Sequence, residues 1–390
     1  MPVLPEIEQL GPVMRQWRHH LHANPETAFE EVKTAAFVAT KLQEFGAEVH
    51  QGIAGTGVVG VIAGQGDGPW LGLRADMDAL HIEEANDFAH RSLSAGKMHA
   101  CGHDGHTAML LGAARHLAET RDFNGTVAVI FQPAEENEGG GRVMVEDGLF
   151  ERFPIASVYG MHNWPGLEVG SFAIRTGPMM AAYDIFEIAL DGQGAHAGMP
   201  HLGRDPMVAA AHLVIALQTI AARNVDPLEA AVVSVTQIHG GDTWNVLPQQ
   251  VVLRGTVRTF LPEIQDLVQR RIGEIAEGVA GTFGIEARLR YERRYPSTIN
   301  APDPALIAAG AATAVVGPDR VDPESRPSMG SEDFAFLLQA CPGAYIRIGA
   351  GPGRTGCMLH NPGYDFNDDI LTLGASYWVQ LVHMVLAPGN

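Results

Sequence analysis

Val127-Ala128-Val129-Ile130-Phe131-Gln132-Pro133-Ala134-Glu135-Glu136 is an unbroken apolar run that ends in a proline and then in two adjacent carboxylates. Five successive apolar residues show no alternation between faces, so the run reads as a strand buried on both sides, the environment of a sheet covered by helices. Acids just past such a strand lie where open α/β sheets build their sites, outside the carboxyl ends of the strands. The same arrangement recurs along the chain. Asp76 and Asp78 follow Leu71-Gly72-Leu73, His162 follows Val158 to Gly160, and His360 lies in a Gly-rich loop after the apolar run Ala344 to Ile348. With further strand-like runs at Val58 to Ile62, Trp70 to Leu73 and Ser157 to Gly160, the sequence predicts a central mixed sheet. Helices flank it at Thr107 to Glu119 and over Glu26 to Phe45, where Ala35, Val38, Leu42 and Phe45 keep a 3-4-3 spacing that stops at Gly46.

The middle of the chain has another rhythm. A strand (Asp184 to Leu190), an Ala-rich helix (Asp205 to Arg223), two strands (Ala230 to Gln237 and Val251 to Phe260), an amphipathic helix and a strand near Ile285 to Tyr291 follow in order. In the second helix Ile264, Leu267, Val268, Ile272, Ile275 and Val279 share one face. This β-α-β-β-α-β order is that of a ferredoxin-like unit. The fold class is therefore α/β: a larger catalytic domain of residues 1–180 and 294–390, with an inserted α+β domain of residues 181–293. At 390 residues such a division is expected on size alone.

With 26 Lys and Arg against 45 Asp and Glu, the formal charge is −19, which repels phosphate backbones and anionic lipid surfaces. Nucleic acid and membrane are not the expected partners. Three widely spaced cysteines, at 101, 341 and 357, do not form a disulfide framework, and no run approaches the ~20 apolar residues of a membrane span. A cytoplasmic protein is the expectation.

Cys101-Gly102-His103-Asp104 concentrates thiol, imidazole and carboxylate within four residues. Together with Glu136, His162 and His360, Cys101 and His103 make five donors suited to borderline-soft divalent ions, too many for one tetrahedral site with an open position. Two ions sharing a bridging donor fit the count. Gly102 lets the loop turn, and Asp104, Asp76 or Asp78 orients the imidazoles. Two neighbouring glutamates do not easily face one ion, so one binds metal while the other, Glu135, serves as general base toward an activated water. The chemistry is amide hydrolysis. In metal-free protein Cys101 would be an exposed, oxidation-prone thiolate.

Plainer readings exist for individual residues. Cys341 and Cys357 read as small hydrophobes. Of seventeen histidines, His19, His20 and His22 beside Arg15 and Arg18 read as a polar helix face rather than a metal tract.

Gly96 to His106, Phe131-Gln132-Pro133-Ala134-Glu135-Glu136, Gly194-Ala195-His196, Asn245-Val246-Leu247-Pro248, Gly255-Thr256-Val257-Arg258, Gly330-Ser331-Glu332-Asp333-Phe334 and Leu359-His360-Asn361-Pro362 resemble the M20 metallopeptidase family. More narrowly they resemble its amidohydrolase branch of hippurate hydrolases, N-acyl-L-amino-acid amidohydrolases and auxin-conjugate hydrolases. The Cys-Gly-His-Asp string separates that branch from relatives that bridge their metals with aspartate.

The resemblance implies that Cys101 bridges two divalent ions (Zn, Mn, Co or Ni), with His103 and His162 completing one site and Glu136 and His360 the other. It also implies that Glu135 is the general base and that the inserted domain is a lid and dimerisation domain, giving a homodimer. His196 on the lid would stabilise the oxyanion, often in the partner's active site, while Asn245 and Arg258 would hold the substrate's carboxylate. The substrate would be an N-acyl amino acid. A dipeptidase or aminopeptidase of the same family, and a metal-binding scaffold without catalysis, are the alternatives. His81, where relatives usually have proline, and Asn137-Glu138, where glycine is more usual, bear on the shape of the acyl pocket.

Overall fold

The computed structural model describes residues 3–352 and 356–387, and the chain divides into two compact units. One comprises Met1–Met179, Thr298–Arg326 and Asp333–Asn390; the other comprises Met180–Ser297 and Pro327–Glu332. Pro327–Glu332 thus belongs with the insertion and not, as the sequence division has it, with 294–390. The reason is backbone pairing, since the N–H of Ala181 donates to the carbonyls of Ser328 and Gly330 at 3.1 and 2.9 Å. A Pro- and Ser-rich stretch carries no periodicity that would announce such pairing.

The first unit is built on an eight-stranded sheet in the order Glu48–Ile53, Gly57–Ala63, Asn124–Gln132, Gln65–Asp76, Ile155–Pro165, Gly343–Gly351, Phe172–Ala173, Val321–Asp322. Its four central strands, from Asn124–Gln132 to Gly343–Gly351, run parallel, and Gly57–Ala63 joins them antiparallel. Val127 to Phe131 is fully buried, as a strand with both faces covered must be.

Helix His103–Thr120 packs against helices Pro5–Ala23 and Leu371–Val385 and is buried along most of its length. It starts four residues earlier than its apolar pattern indicates, because Gly102 takes a left-handed φ of 99° and turns the chain directly into it. A Cβ at Gly102 would lie 2.3 Å from Asn163 Oδ1 and 2.9 Å from the Tyr364 hydroxyl, so glycine is required by space as well as by φ.

The second unit is a four-stranded antiparallel sheet in the order Ala231–His239, Gln250–Thr259, Ala182–Asp191, Glu286–Tyr295. In chain order that is 2-3-1-4, the ferredoxin-like arrangement. Burial alternates residue by residue along Ala182–Asp191, and helices Pro206–Leu217 and Pro262–Thr282 cover the apolar side through Leu213, Leu217, Val268 and Ile272. Asp205 caps the first of these helices, accepting from Met207 N at 2.8 Å. That helix continues as a π turn over Ile220–Asn224. By length and composition alone, the combined 19 residues would be long and apolar enough to cross a bilayer. Ala209, Ala210, Leu213, Leu217 and Ile220, however, pack into the core of this unit.

Candidate metal centre

Five side chains gather at the carboxyl ends of the central parallel strands of the first unit. Donor atoms of Cys101, His103 and His162 lie within 4.8 Å of one another, and so do those of Cys101, Glu136 and His360. Cys101 belongs to both groups. Its Sγ is 3.4 Å from His162 Nε2, and His360 Nε2 is 3.0 Å from Glu136 Oε1. Glu135 joins His103 and Glu136 in a third group of the same size. His162 lies inside strand Ile155–Pro165 rather than past its end, since the strand runs five residues beyond Gly160. His360 has a left-handed φ of 62°, and its N–H donates to Ala100 O at 2.8 Å, which ties its loop to the residue before Cys101.

Asp78 organises the cluster. Its backbone and side-chain oxygens face His103 Nδ1 at 2.9 and 3.1 Å, while Oδ2 accepts from Glu136 N at 2.9 Å. With Nδ1 committed to Asp78, His103 presents Nε2 to the cluster, and that fully buried atom has no hydrogen-bond partner among the described residues. Asp76 accepts from Arg74 at 2.8 Å and faces His106 Nδ1 at 2.6 Å; its Oδ2 is 3.7 Å from His103 Nε2.

Asp104, expected to orient an imidazole of the cluster, turns away from it. It meets Arg18 Nε at 3.1 Å and His22 Nδ1 at 2.8 Å, because the first turn of its helix directs His103 and Asp104 to different sides. Arg18 and His22 are themselves fully buried in an ion network with Asp365 and Glu84, so these two depart from the polar helix face that Arg15, His19 and His20 still form.

The charges call for a cation. Burial, then the carboxylates of Glu136 and Glu135, push the Cys101 thiol well above its ordinary range. A buried, protonated Cys101 replaces the expected exposed thiolate, so metal-free protein has no ready oxidation site there. For His103 burial works downward, but Asp76, Asp78 and Glu136 outweigh it and carry the pKa to about 10. The bond to Glu136 raises His360, whereas burial and the neighbouring His106 hold His162 well below its usual value. A thiol, three imidazoles and a carboxylate converging in strongly negative surroundings, with one bare buried nitrogen, fit divalent ions of the borderline class.

Glu31, which no sequence pattern singled out, lies fully buried beneath the acid pair. Burial, reinforced by Asp78, raises its pKa to about 7 from 4.5. A carboxyl whose folded pKa is raised destabilises the fold progressively as pH climbs from the unfolded value through the folded one. Glu31→Gln, which mimics the protonated form, should therefore melt close to wild type at pH 4.5 and increasingly above it toward pH 8. Thermal melts of the metal-free proteins across that range check this, and a difference that shrinks with pH would contradict it.

His196, Asn245 and Arg258 belong to the second unit. His196 pairs with Val246 in a two-residue ladder, and Ala197 N donates to Asn245 O at 2.9 Å, which brings His196 and Asn245 onto one exposed loop pair. His196 Nδ1 accepts from Gly198 N at 3.0 Å, so in the neutral ring the proton sits on Nε2. Arg258 stacks on the Tyr183 ring at 3.9 Å, donates to Thr256 Oγ1 at 2.8 Å, and forms no ion pair among the described residues. It lines a cavity of about 590 Å³ with Tyr183, Thr236 and Arg254.

A helix-covered α/β sheet with a ferredoxin-like insertion, and with thiol, imidazole and carboxylate donors converging beside a further glutamate, defines a metal-dependent hydrolase. Residues 72–384 match the model of Peptidase family M20/M25/M40, and the chain belongs to that family. It is 40% identical to the hippurate hydrolase of Campylobacter jejuni subsp. jejuni over 98% of both chains. Identity to the N-acetyl-L-cysteine deacetylase of Bacillus subtilis is 41% over 93% of this chain and 85% of that one. The crystal structure of the Bacillus subtilis YXEP protein, described as a dinuclear metal binding peptidase of the M20 family, superposes with a TM-score of 0.84 at 34% identity, covering 98% of this chain and 100% of that one. Within the family the protein falls in the amidohydrolase branch and is a metallo-amidohydrolase.

Proposed function

We propose that the protein hydrolyses the amide bond of N-acyl amino acids, hippurate-like or N-acetyl conjugates, to a carboxylic acid and a free amino acid. The observation that carries this is the membership of Cys101 in two donor triads, with the Glu135 carboxylate within 4.8 Å of His103 and Glu136 beside them. Cys101, His103 and His162 would hold one divalent ion, and Cys101, Glu136 and His360 a second. Ions bound there supply Lewis acidity, lowering the pKa of a ligated water and polarising the scissile carbonyl. Glu135 takes the proton of the attacking water and returns it to the departing amine nitrogen. His196 donates from Nε2 to the developing oxyanion, and Asn245 with Arg258 holds the substrate's carboxylate.

The test is hydrolysis of N-benzoyl and N-acetyl amino acids beside free dipeptides, by chelated protein with and without Mn, Co, Ni or Zn. Metal-dependent cleavage of blocked substrates alone supports the reading; cleavage of free dipeptides would make the protein a peptidase.

The surface of the second unit supports the reading of a homodimer. Met207, Val208, Ile215, Leu228 and Ile238 are exposed there, and strand Ala231–His239 is an edge strand with one unpaired side. Replacing His196 with Ala should lower kcat by about 10²- to 10³-fold, the loss typical of a missing oxyanion donor. Mixing that variant with a Glu135 variant restores activity only if His196 serves the partner's site, and an unchanged rate for His196→Ala would leave it a loop residue.

A further inference from the structure

The loop carrying Glu135 and Glu136 is held by three buried carboxylates. Asp78 Oδ2 accepts from Glu136 N at 2.9 Å and Asp333 Oδ2 from Gly141 N at 2.7 Å. Glu31 Oε1 accepts from Ala134 N at 2.9 Å. The last of these acts where the backbone is least at ease. Ala134, immediately before Glu135, has a φ of 54°, the left-handed region that a residue with a Cβ avoids. Its carbonyl accepts from Gly140 N at 2.9 Å, so the residue is fixed through both its N–H and its C=O. The second oxygen of Glu31 accepts from Thr56 Oγ1 at 2.7 Å, which anchors the carboxylate to the hairpin turn between Glu48–Ile53 and Gly57–Ala63. Nothing in the reaction as assigned uses Glu31, yet it is fully buried and its bond falls on the peptide preceding the general base.

We propose that Glu31 is a positioning residue: by accepting the Ala134 N–H it holds the left-handed turn that aims Glu135 at the water and Glu136 at the cluster. The inference rests on the reading of Glu135 as general base. It requires an acceptor oxygen at the distance of a glutamate side chain, not a negative charge. Glu31→Gln retains that geometry, its amide oxygen accepting from Ala134 N while its NH₂ donates to Thr56 Oγ1. Glu31→Asp keeps the charge but is one carbon too short. Thr56→Val removes the outer anchor and leaves the Ala134 bond in place.

The holoenzyme at saturating Mn²⁺ should show kcat reduced by about 10- to 100-fold in Glu31→Asp and Glu31→Ala, with KM little changed, since displacing a catalytic group by an ångström has effects of that size. Glu31→Gln and Thr56→Val should stay within about threefold of wild type. A role in stability alone would instead lower the melting temperatures of Glu31→Asp and Glu31→Ala while leaving their kcat intact. The proposal is overturned if Glu31→Asp turns over at the wild-type rate, or if Glu31→Gln is as impaired as Glu31→Ala.

Should Glu31→Ala fail to fold, the contrast of Glu31→Asp with Glu31→Gln decides. If wild type itself is silent toward blocked amino acids, the assigned reaction fails, and titration of the metal-free proteins with Co²⁺, read by its absorption, decides on Glu31 alone. A second equivalent bound at least about tenfold more weakly in Glu31→Asp than in Glu31→Gln supports positioning of Glu136; identical isotherms overturn it.

Discussion

Glu135→Gln is expected to lower kcat by about 10³-fold or more while both metal equivalents stay bound. The replacement is nearly isosteric and leaves Cys101, His103, His162, Glu136 and His360 untouched, so the donor triads keep their geometry. What disappears is the proton acceptor. An amide oxygen still accepts a hydrogen bond from water, but it cannot take the proton and hand it to the amine, and amines are poor leaving groups unless protonated. Proton transfer by a positioned carboxylate contributes about 10²- to 10⁴-fold, and here the same group serves in both halves of the reaction. KM should change little, because binding of the blocked amino acid is assigned elsewhere. Metal content after gel filtration and single-turnover rates separate the possibilities. A Glu135→Gln protein that has lost metal would mean that Glu135 is a ligand and Glu136 the base.

How far this was legible in the sequence depends on the length scale of the signal. The strand at Val127 to Phe131 and the donors past strand ends were readable because a doubly covered strand is uniformly apolar and a site outside it is polar. The start of helix His103–Thr120 was not, since its interior is buried on nearly every side and shows no 3.6-residue alternation against a polar background. Asp78 and Asp104 were chemically equivalent in the sequence; only the rotation of the first helical turn decides that Asp104 faces Arg18 and His22 while Asp78 meets His103. Glu31 was invisible for a related reason. It stands more than 100 positions from Ala134, and its partner is a backbone N–H, a group every residue type but proline presents. Arg18 and His22 likewise looked like surface charge until Asp104, Asp365 and Glu84 arrived from distant segments to neutralise them.

Cys101→Ala is expected to abolish tight binding of both ions, not of one, and with it all turnover above background. Either half of the cluster without the thiol retains two donors, His103 with His162 or Glu136 with His360, one short of the three protein ligands typical of catalytic sites. The lost atom is also the softest donor, the one that favours Zn or Co over harder ions. In metal-free protein Cys101 is protonated, so a bound cation must displace its proton, and wild-type affinity should rise with pH more steeply than that of the alanine variant. Cys101→Asp tests the same atom from the other side. A carboxylate can bridge two ions, so it should restore a two-metal centre, but an all-oxygen bridge shifts preference toward Mn²⁺. Its cost is a further negative charge beside Glu135, Glu136 and Asp76, which should make the metal-free form less stable than wild type. Metal content and competition between Mn²⁺ and Zn²⁺ measure both effects. If Cys101→Ala instead keeps one ion at wild-type affinity, the thiol serves only one half of the cluster and the two ions do not share a bridge through it.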